Sequence, residues 1–234
     1  RPDFTIIKQL FKFGLPTGLQ GVAMNLGGVF LLGFVGSLAM SAQAQAAYVV
    51  SYSQLFSFIT WTSTGIMGAT AAVSGQNLGA GNPDRTARAV NVAACFGLLL
   101  ATAIGSLFLL IPNVLLRSFG IDEPVLLELS IELLRYLSVS GLFITVALAF
   151  KGGLQGTGDT KSPLYISIVS QVVIPLGICF AFQNFGTLDP SDIWLAIVIG
   201  HLSRATLSVI VFKREKWRNI VVDLGDSHPT SSLR

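Results

Sequence analysis

Residues 90–114 read VNVAACFGLLLATAIGSLFLLIPNV. The run contains no charged side chain, and at 1.5 Å per residue of helix it is long enough to cross the roughly 30 Å of hydrocarbon in a bilayer. Outward from it, further apolar stretches cover 14–38, 46–73, 130–150, 163–185 and 193–212, each bounded by charge, Pro or Gly. An apolar segment in lipid must satisfy its own backbone hydrogen bonds, and the alternating pattern of a barrel strand is absent. The expected fold is therefore all-α, an integral membrane bundle of six helices.

Composition agrees. Hydrophobic residues make up 52% of the chain and charged ones 12%, about half the charge of an ordinary soluble domain, and the mean hydropathy is +0.69. A water-soluble fold of this length could not cover its surface with so little charge. The formal net charge of +3 does not point to nucleic acid, because the basic residues cluster at the ends of the spans, where membrane orientation accounts for them. Cys95 and Cys179 lie inside apolar stretches without CxxC or Cys/His ligand spacing, so they read as packing residues, and neither a metal nor a cofactor is expected.

Lysine and arginine set the orientation. Arg1, Lys8 and Lys12 precede the first span, Arg85 and Arg88 follow the second, Lys151 and Lys161 follow the fourth, and Lys213, Arg214, Lys216 and Arg218 follow the sixth. The opposite side holds the uncharged loop 41–45, the acidic group Asp122, Glu123, Glu128 and Glu132 with Arg117 and Arg135 against it, and Asp189 with Asp192. The positive-inside rule then places both termini in the cytoplasm of a cell-membrane protein. Residues 1–13 read as a cytoplasmic interfacial helix, with Asp3 as its cap and Ile6, Ile7, Leu10 and Phe11 as its apolar face. Residues 14–212 read as the bundle, and 213–234 as a basic and then disordered cytoplasmic tail. A start at Arg1, without a signal arrangement, makes a processed or truncated product the expectation.

Two glycine-rich loops stand on the cytoplasmic side, SGQNLGAGNPDRTARAV at 74–90 and LQGTGDTKSPL at 154–164. In the first, Asn82 can cap a helix opened by Pro83, and in the second Ser162 and Pro163 repeat the device. Gly79 and Gly81 are expected to be required by the first turn, through positive φ or close packing. There is no GK[ST] after the second loop's glycines, so no phosphate cradle is read.

Those loops carry a resemblance. Gly75, Gln76, Gly79, Ala80, Gly81 and Arg85 are similar to the GQNxGAGxxxR pattern of the multidrug and toxin extrusion (MATE) family. Gly156, Gly158, Asp159 and Pro163 resemble its LxGxGDTxxP pattern, and Gly14 to Pro16 its GLP. The resemblance implies a twelve-helix transporter of two six-helix bundles around a substrate cleft, with this chain as the C-terminal half and an N-terminal six-helix half as its partner. It further implies export of amphipathic or cationic small molecules by Na⁺ or H⁺ antiport. Intramembrane carboxylates usually carry such coupling. Several relatives hold an acidic residue in the first helix of this half about nine positions past its proline, where Asn25 stands here, so the coupling acid is expected in the other half.

Inside the bundle the polar candidates for the substrate cleft are Gln20, Asn25, Tyr48, Tyr52, Gln54, Gln171, His201 and Arg204. Tyr48 and Tyr52 share a helix face and suit stacking on a flat organic ion. His201 and Arg204 share a face of the last span, too deep for full snorkelling. Pro175 is expected to kink the fifth span and free a carbonyl near Gln171. Alternatives are a lipid-linked oligosaccharide flippase, which Arg204 and His201 would suit, and a non-transporting scaffold. An intramembrane enzyme would need paired acids, HExxH or a Ser/His set, none of which the spans contain.

Overall fold

A computed structural model describes residues 4–220. In chain order it forms α1 (Phe4–Gly36), α2 (Ser41–Ala47), a π-helical segment (Tyr48–Leu55), α3 (Ser57–Gly79), α4 (Pro83–Leu110) and α5 (Pro112–Ser118). There follow α6 (Pro124–Gly156), α7 (Lys161–Ile168), a second π-helical segment (Val169–Val173), α8 (Ile174–Phe185), α9 (Pro190–Lys213) and a 3₁₀ turn (Lys216–Asn219). The described residues contain no strand.

Five helical stretches are long and apolar enough to cross a membrane, in α1, α4, α6, α7 with α8, and α9. The remaining predicted crossing falls in the run from α2 through α3, where Thr60, Thr62, Ser63, Thr64, Thr70 and Ser74 dilute the apolar content. These hydroxyls are largely satisfied. Thr62 donates to the Phe58 carbonyl and Thr64 to that of Thr60, both at 2.7 Å, and Ser63 shares a 2.7 Å bond with Thr145 of α6. Central α6 packs against α3, α4 and α9 and buries Leu133, Leu134 and Leu137 completely. Leu99, Leu110, Phe180 and Phe185 point outward, a cost in water but none against lipid tails.

Several boundaries differ from those read in the sequence. Helix α1 is continuous from Phe4 through Pro16, so residues 4–13 are its first turns rather than a separate interfacial helix. One missing N–H is tolerated in a helix this long. Arg1 and Asp3 lie outside the described residues. The third span ends at Leu110, ahead of Pro112, and α5 folds back with Leu116 fully buried. Helix α6 runs through Lys151 to Gly156, so Lys151 is helical rather than in a loop. The predicted tail begins as packed structure, with Trp217 only 1% exposed; residues 221–234 lie outside the described residues.

The loop chemistry is also redistributed. Asn82 precedes Pro83 as expected, but its amide donates to the Ala80 carbonyl at 3.2 Å instead of capping α4. Asp84 pairs with Arg218 at 2.9 Å. In the second loop Ser162 is not the cap: Thr160 holds that position, and the carboxylate of Asp159 just before it accepts the Ser162 N–H at 3.0 Å and the Ser162 hydroxyl at 2.6 Å. A carboxylate there also complements the positive end of α7.

Gly81 has φ of 74° and needs the left-handed region, whereas a Cβ at Gly79 would meet nothing within 4 Å. The expectation that both are required is corrected to Gly81 alone. Gly81→Val is expected to cost about 1–2 kcal/mol, the left-handed penalty of a side chain, and Gly79→Ala close to nothing. Thermal unfolding of the two single variants in detergent checks this, and equal losses would refute it.

Candidate functional site

A groove runs between α1 and α8 on one side and the α3, α6 and α9 core on the other. It consists of two cavities of about 340 and 430 Å³ that share Met24, Tyr52, Gln171 and His201 and therefore adjoin. The first takes in Asn25 and Tyr48, the second Phe56, Thr60, Thr64, Lys151 and Arg204.

One wall is an aromatic ladder. The wider i→i+5 turn of the first π segment keeps Tyr48, Tyr52 and Phe56, spaced by four, along one face. Tyr48 and Tyr52 stack with ring centroids 4.8 Å apart, and Tyr52 and Phe56 lie 5.5 Å apart. Helix α9 closes both ends, with Trp194 stacked 6.4 Å from Tyr48 and His201 stacked 5.7 Å from Phe56. Aromatic pairs at such spacing contribute about 0.5–1.5 kcal/mol beyond their buried area.

The facing wall is broken backbone. Pro175 lacks an N–H, and the helix widens into the π segment just before it. Gln171 turns its amide onto the Ser170 carbonyl at 3.1 Å. Two glycines grip the segment. A Cβ on Gly200 of α9 would stand 2.8 Å from both the Ser170 carbonyl and Pro175, and one on Gly27 of α1 would stand 3.0 Å from Val172.

Arg204 is 3% exposed, and its hydrogen-bond contact is the Met24 sulfur at 3.9 Å. Among the described residues the ion pairs are those of Arg218 with Asp84 and with Glu215, so Arg204 and Lys151 have no acidic partner there. His201 is buried, and its Nδ1 has no partner among the described residues.

Of the residues singled out in the sequence, Asn25, Tyr48, Tyr52, Gln171, His201 and Arg204 gather in this groove. Gln20 does not. It is 1% exposed, and its amide donates to the Pro163 carbonyl at 3.2 Å and to the Ser167 hydroxyl, tying α1 to α7. Gln54 is exposed and lines neither cavity. Asn25 spends one amide hydrogen on its own helix, at the Gly21 carbonyl 2.9 Å away. Lys151, Met24, Phe56 and Trp194 were missed. For Phe56 a signal existed, since it continues the spacing of Tyr48 and Tyr52.

The loop motifs lie elsewhere. Gln76 and Arg85 are exposed, and Gly158 takes a φ of 92° in its turn. Gly75 and Gly156 are crossing points of α3 and α6: a Cβ on Gly75 would stand 2.8 Å from the Gly156 carbonyl, and one on Gly156 would overlap the backbone of Ala71. Gly152, one turn earlier, would meet the Met67 carbonyl. Spacing of small residues by four lets the two backbones approach.

Comparison with known proteins agrees with this architecture. The chain is 23% identical to a probable multidrug resistance protein NorM of Thermotoga maritima over 94% of its length, covering 47% of that protein. It is 31% identical to a probable multidrug resistance protein NorM of Brucella suis, covering 92% of the chain and 46% of that protein. The crystal structure of MATE in the straight conformation superposes with a TM-score of 0.82 at 22% identity, over 92% of this chain and 47% of that one, which shows a shared fold. The chain spans about half the length of the curated relatives it matches and corresponds to their C-terminal half. The MatE family model matches residues 16–181, most of the chain and both loop motifs, so the chain is a multi-pass membrane protein that belongs to the MatE family.

Proposed function

We propose that this chain supplies the C-terminal six-helix half of a multidrug efflux transporter and forms one wall of its cleft. The complete protein then exports amphipathic small molecules against an inward Na⁺ or H⁺ gradient from a cell membrane, with both termini of this half in the cytoplasm. The observation that carries the reading is the pair of adjoining cavities lined by aromatic, amide and cationic side chains and bordered by two π-helical segments. Non-α pitch of this kind concentrates at functional sites. The names of the relatives as multidrug resistance proteins support export of drugs over the flippase alternative.

Alternating access requires one bundle to rock against another around a shared site. Among the described residues the groove lining holds no carboxylate, so the coupling acid, and the countercharge for any cationic cargo, fall to the N-terminal half. The chain reconstituted alone in liposomes with an inward Na⁺ or H⁺ gradient is expected to give no export of a fluorescent amphipathic dye. Gradient-dependent export is expected once an N-terminal half is co-reconstituted. Export by the chain alone, or none with both halves present, would overturn the reading.

A further inference from the structure

Resting on the cleft reading above, the groove poses an electrostatic question that transport alone does not answer. Lys151 and Arg204 line the same two adjoining cavities, each on a membrane-spanning helix. Arg204 is 3% exposed and carries five N–H donors against one thioether contact. Among the described residues the carboxylates are committed or remote. Asp84 and Glu215 pair with Arg218, Asp159 accepts the Ser162 N–H at the start of α7, and the Asp192 carboxylate accepts the Asp189 N–H at the start of α9. Asp122, Glu123, Glu128 and Glu132 stand at or near the opposite end of α6 from Lys151. Asp3, Asp223 and Asp226 lie outside the described residues.

Two like charges side by side in a low-dielectric site repel, and each bears a desolvation cost that only an opposite charge offsets. A cationic guest would make both terms worse. An anionic guest improves both, and guanidinium is suited to a planar acid such as a carboxylate. Next to the cations, half-buried Tyr52 offers flat apolar surface in the same cavity, backed by fully buried Phe56.

We propose that this groove binds an amphipathic organic anion, with its acidic group between Lys151 and Arg204 and its flat apolar body against Tyr52. The cargo class favoured by this half is thus anionic or zwitterionic rather than simply cationic. The same chemistry occurs in dissolved aromatic acids and in anionic lipid headgroups.

The test is binding to the purified chain in a neutral maltoside detergent, with no gradient and no second half, so its outcome is independent of the transport reading. Calorimetric titration would compare 2-naphthoate, 2-naphthamide and 2-naphthylmethylammonium, which share a ring system and differ in charge. The anion is expected to bind about tenfold more tightly than the amide, with the cation weakest. Lys151→Met and Arg204→Met should each erase the preference for the anion and leave the amide's affinity unchanged, which also reports an intact groove. Lys151→Arg should retain the preference. If Arg204→Met does not fold, Lys151→Met carries the same test. Equal or tighter binding of the cation, or a preference that survives in Lys151→Met, would overturn the proposal. Repeating the naphthoate titration in nanodiscs separates the sources. Affinity lowered by phosphatidylglycerol but not by phosphatidylcholine assigns the site to a lipid headgroup, and equal affinity assigns it to a dissolved acid.

Discussion

Gly156→Ala is expected to abolish most of the folded protein recovered from membranes, and Gly156→Leu to leave none. The added Cβ would overlap the carbonyl oxygen and Cα of Ala71, which are backbone atoms of α3 and cannot rotate aside. Relief would require α3 and α6 to separate. The same crossing holds Gly75 against the Gly156 carbonyl and Gly152 against the Met67 carbonyl, so separation would undo three close contacts together. Overpacking in a well-filled site costs roughly 1–3 kcal/mol, and a clash with backbone falls at or above the top of that range. Gly65→Ala in α3 is the control, because a Cβ there meets nothing within 4 Å and alanine favours helix by up to about 1 kcal/mol. Size-exclusion profiles after stepwise heating in detergent give the readout. A Gly156→Ala melting temperature within a degree or two of the parent would show that the crossing has slack and would sink the argument.

Most of the fold was legible because the bilayer leaves few choices. Uncharged runs such as 90–114 must be helical, and α4 covers that run up to the proline that stops it. The misread boundaries share a cause. Gly156 read as part of a glycine-rich loop, which is what glycine clusters mean in water, whereas between membrane helices such a glycine allows close approach. Ending the fourth helix too early put Lys151 in a loop and counted it as an orientation charge. In the structure it lines the groove beside Arg204.

The site was legible where side-chain spacing alone decides proximity. Tyr48 with Tyr52, and His201 with Arg204, are neighbours on their own helices, and each pair reaches the groove. Gln20 and Gln54 failed because an intramembrane amide serves a helix tie as well as it serves a ligand. Only tertiary contacts show that Gln20 is spent on α7. The π segments were not legible either. An i→i+5 register depends on what grips the helix from outside, here Gly27 and Gly200 around Val169–Val173, and no local pattern encodes it.

Trp217→Ala is expected to destabilise the bundle by about 3–5 kcal/mol, the range for removing a buried tryptophan, although the residue lies beyond the last membrane helix. Trp217 is 1% exposed in a cluster with Val90, Phe150, Leu154 and Phe212, and its ring stacks on Phe212 at 4.9 Å, which meets Phe150 edge-on at 5.3 Å. Its indole N–H donates to the Phe212 carbonyl at 2.8 Å, which also accepts the Glu215 N–H at 3.1 Å at the end of α9. Arg218, over the same indole at 5.4 Å, reaches Asp84 at the start of α4. The segment therefore clasps the ends of α4, α6 and α9, and losing the indole should release it. Trypsin should then cut faster at Lys213, Arg214 and Lys216 while the melting temperature falls. Trp217→Phe should keep the stacking and lose only the hydrogen bond, a deficit of about 1 kcal/mol. An alanine variant with the parent's melting curve and cleavage rate would show that the segment rests on the bundle without holding it.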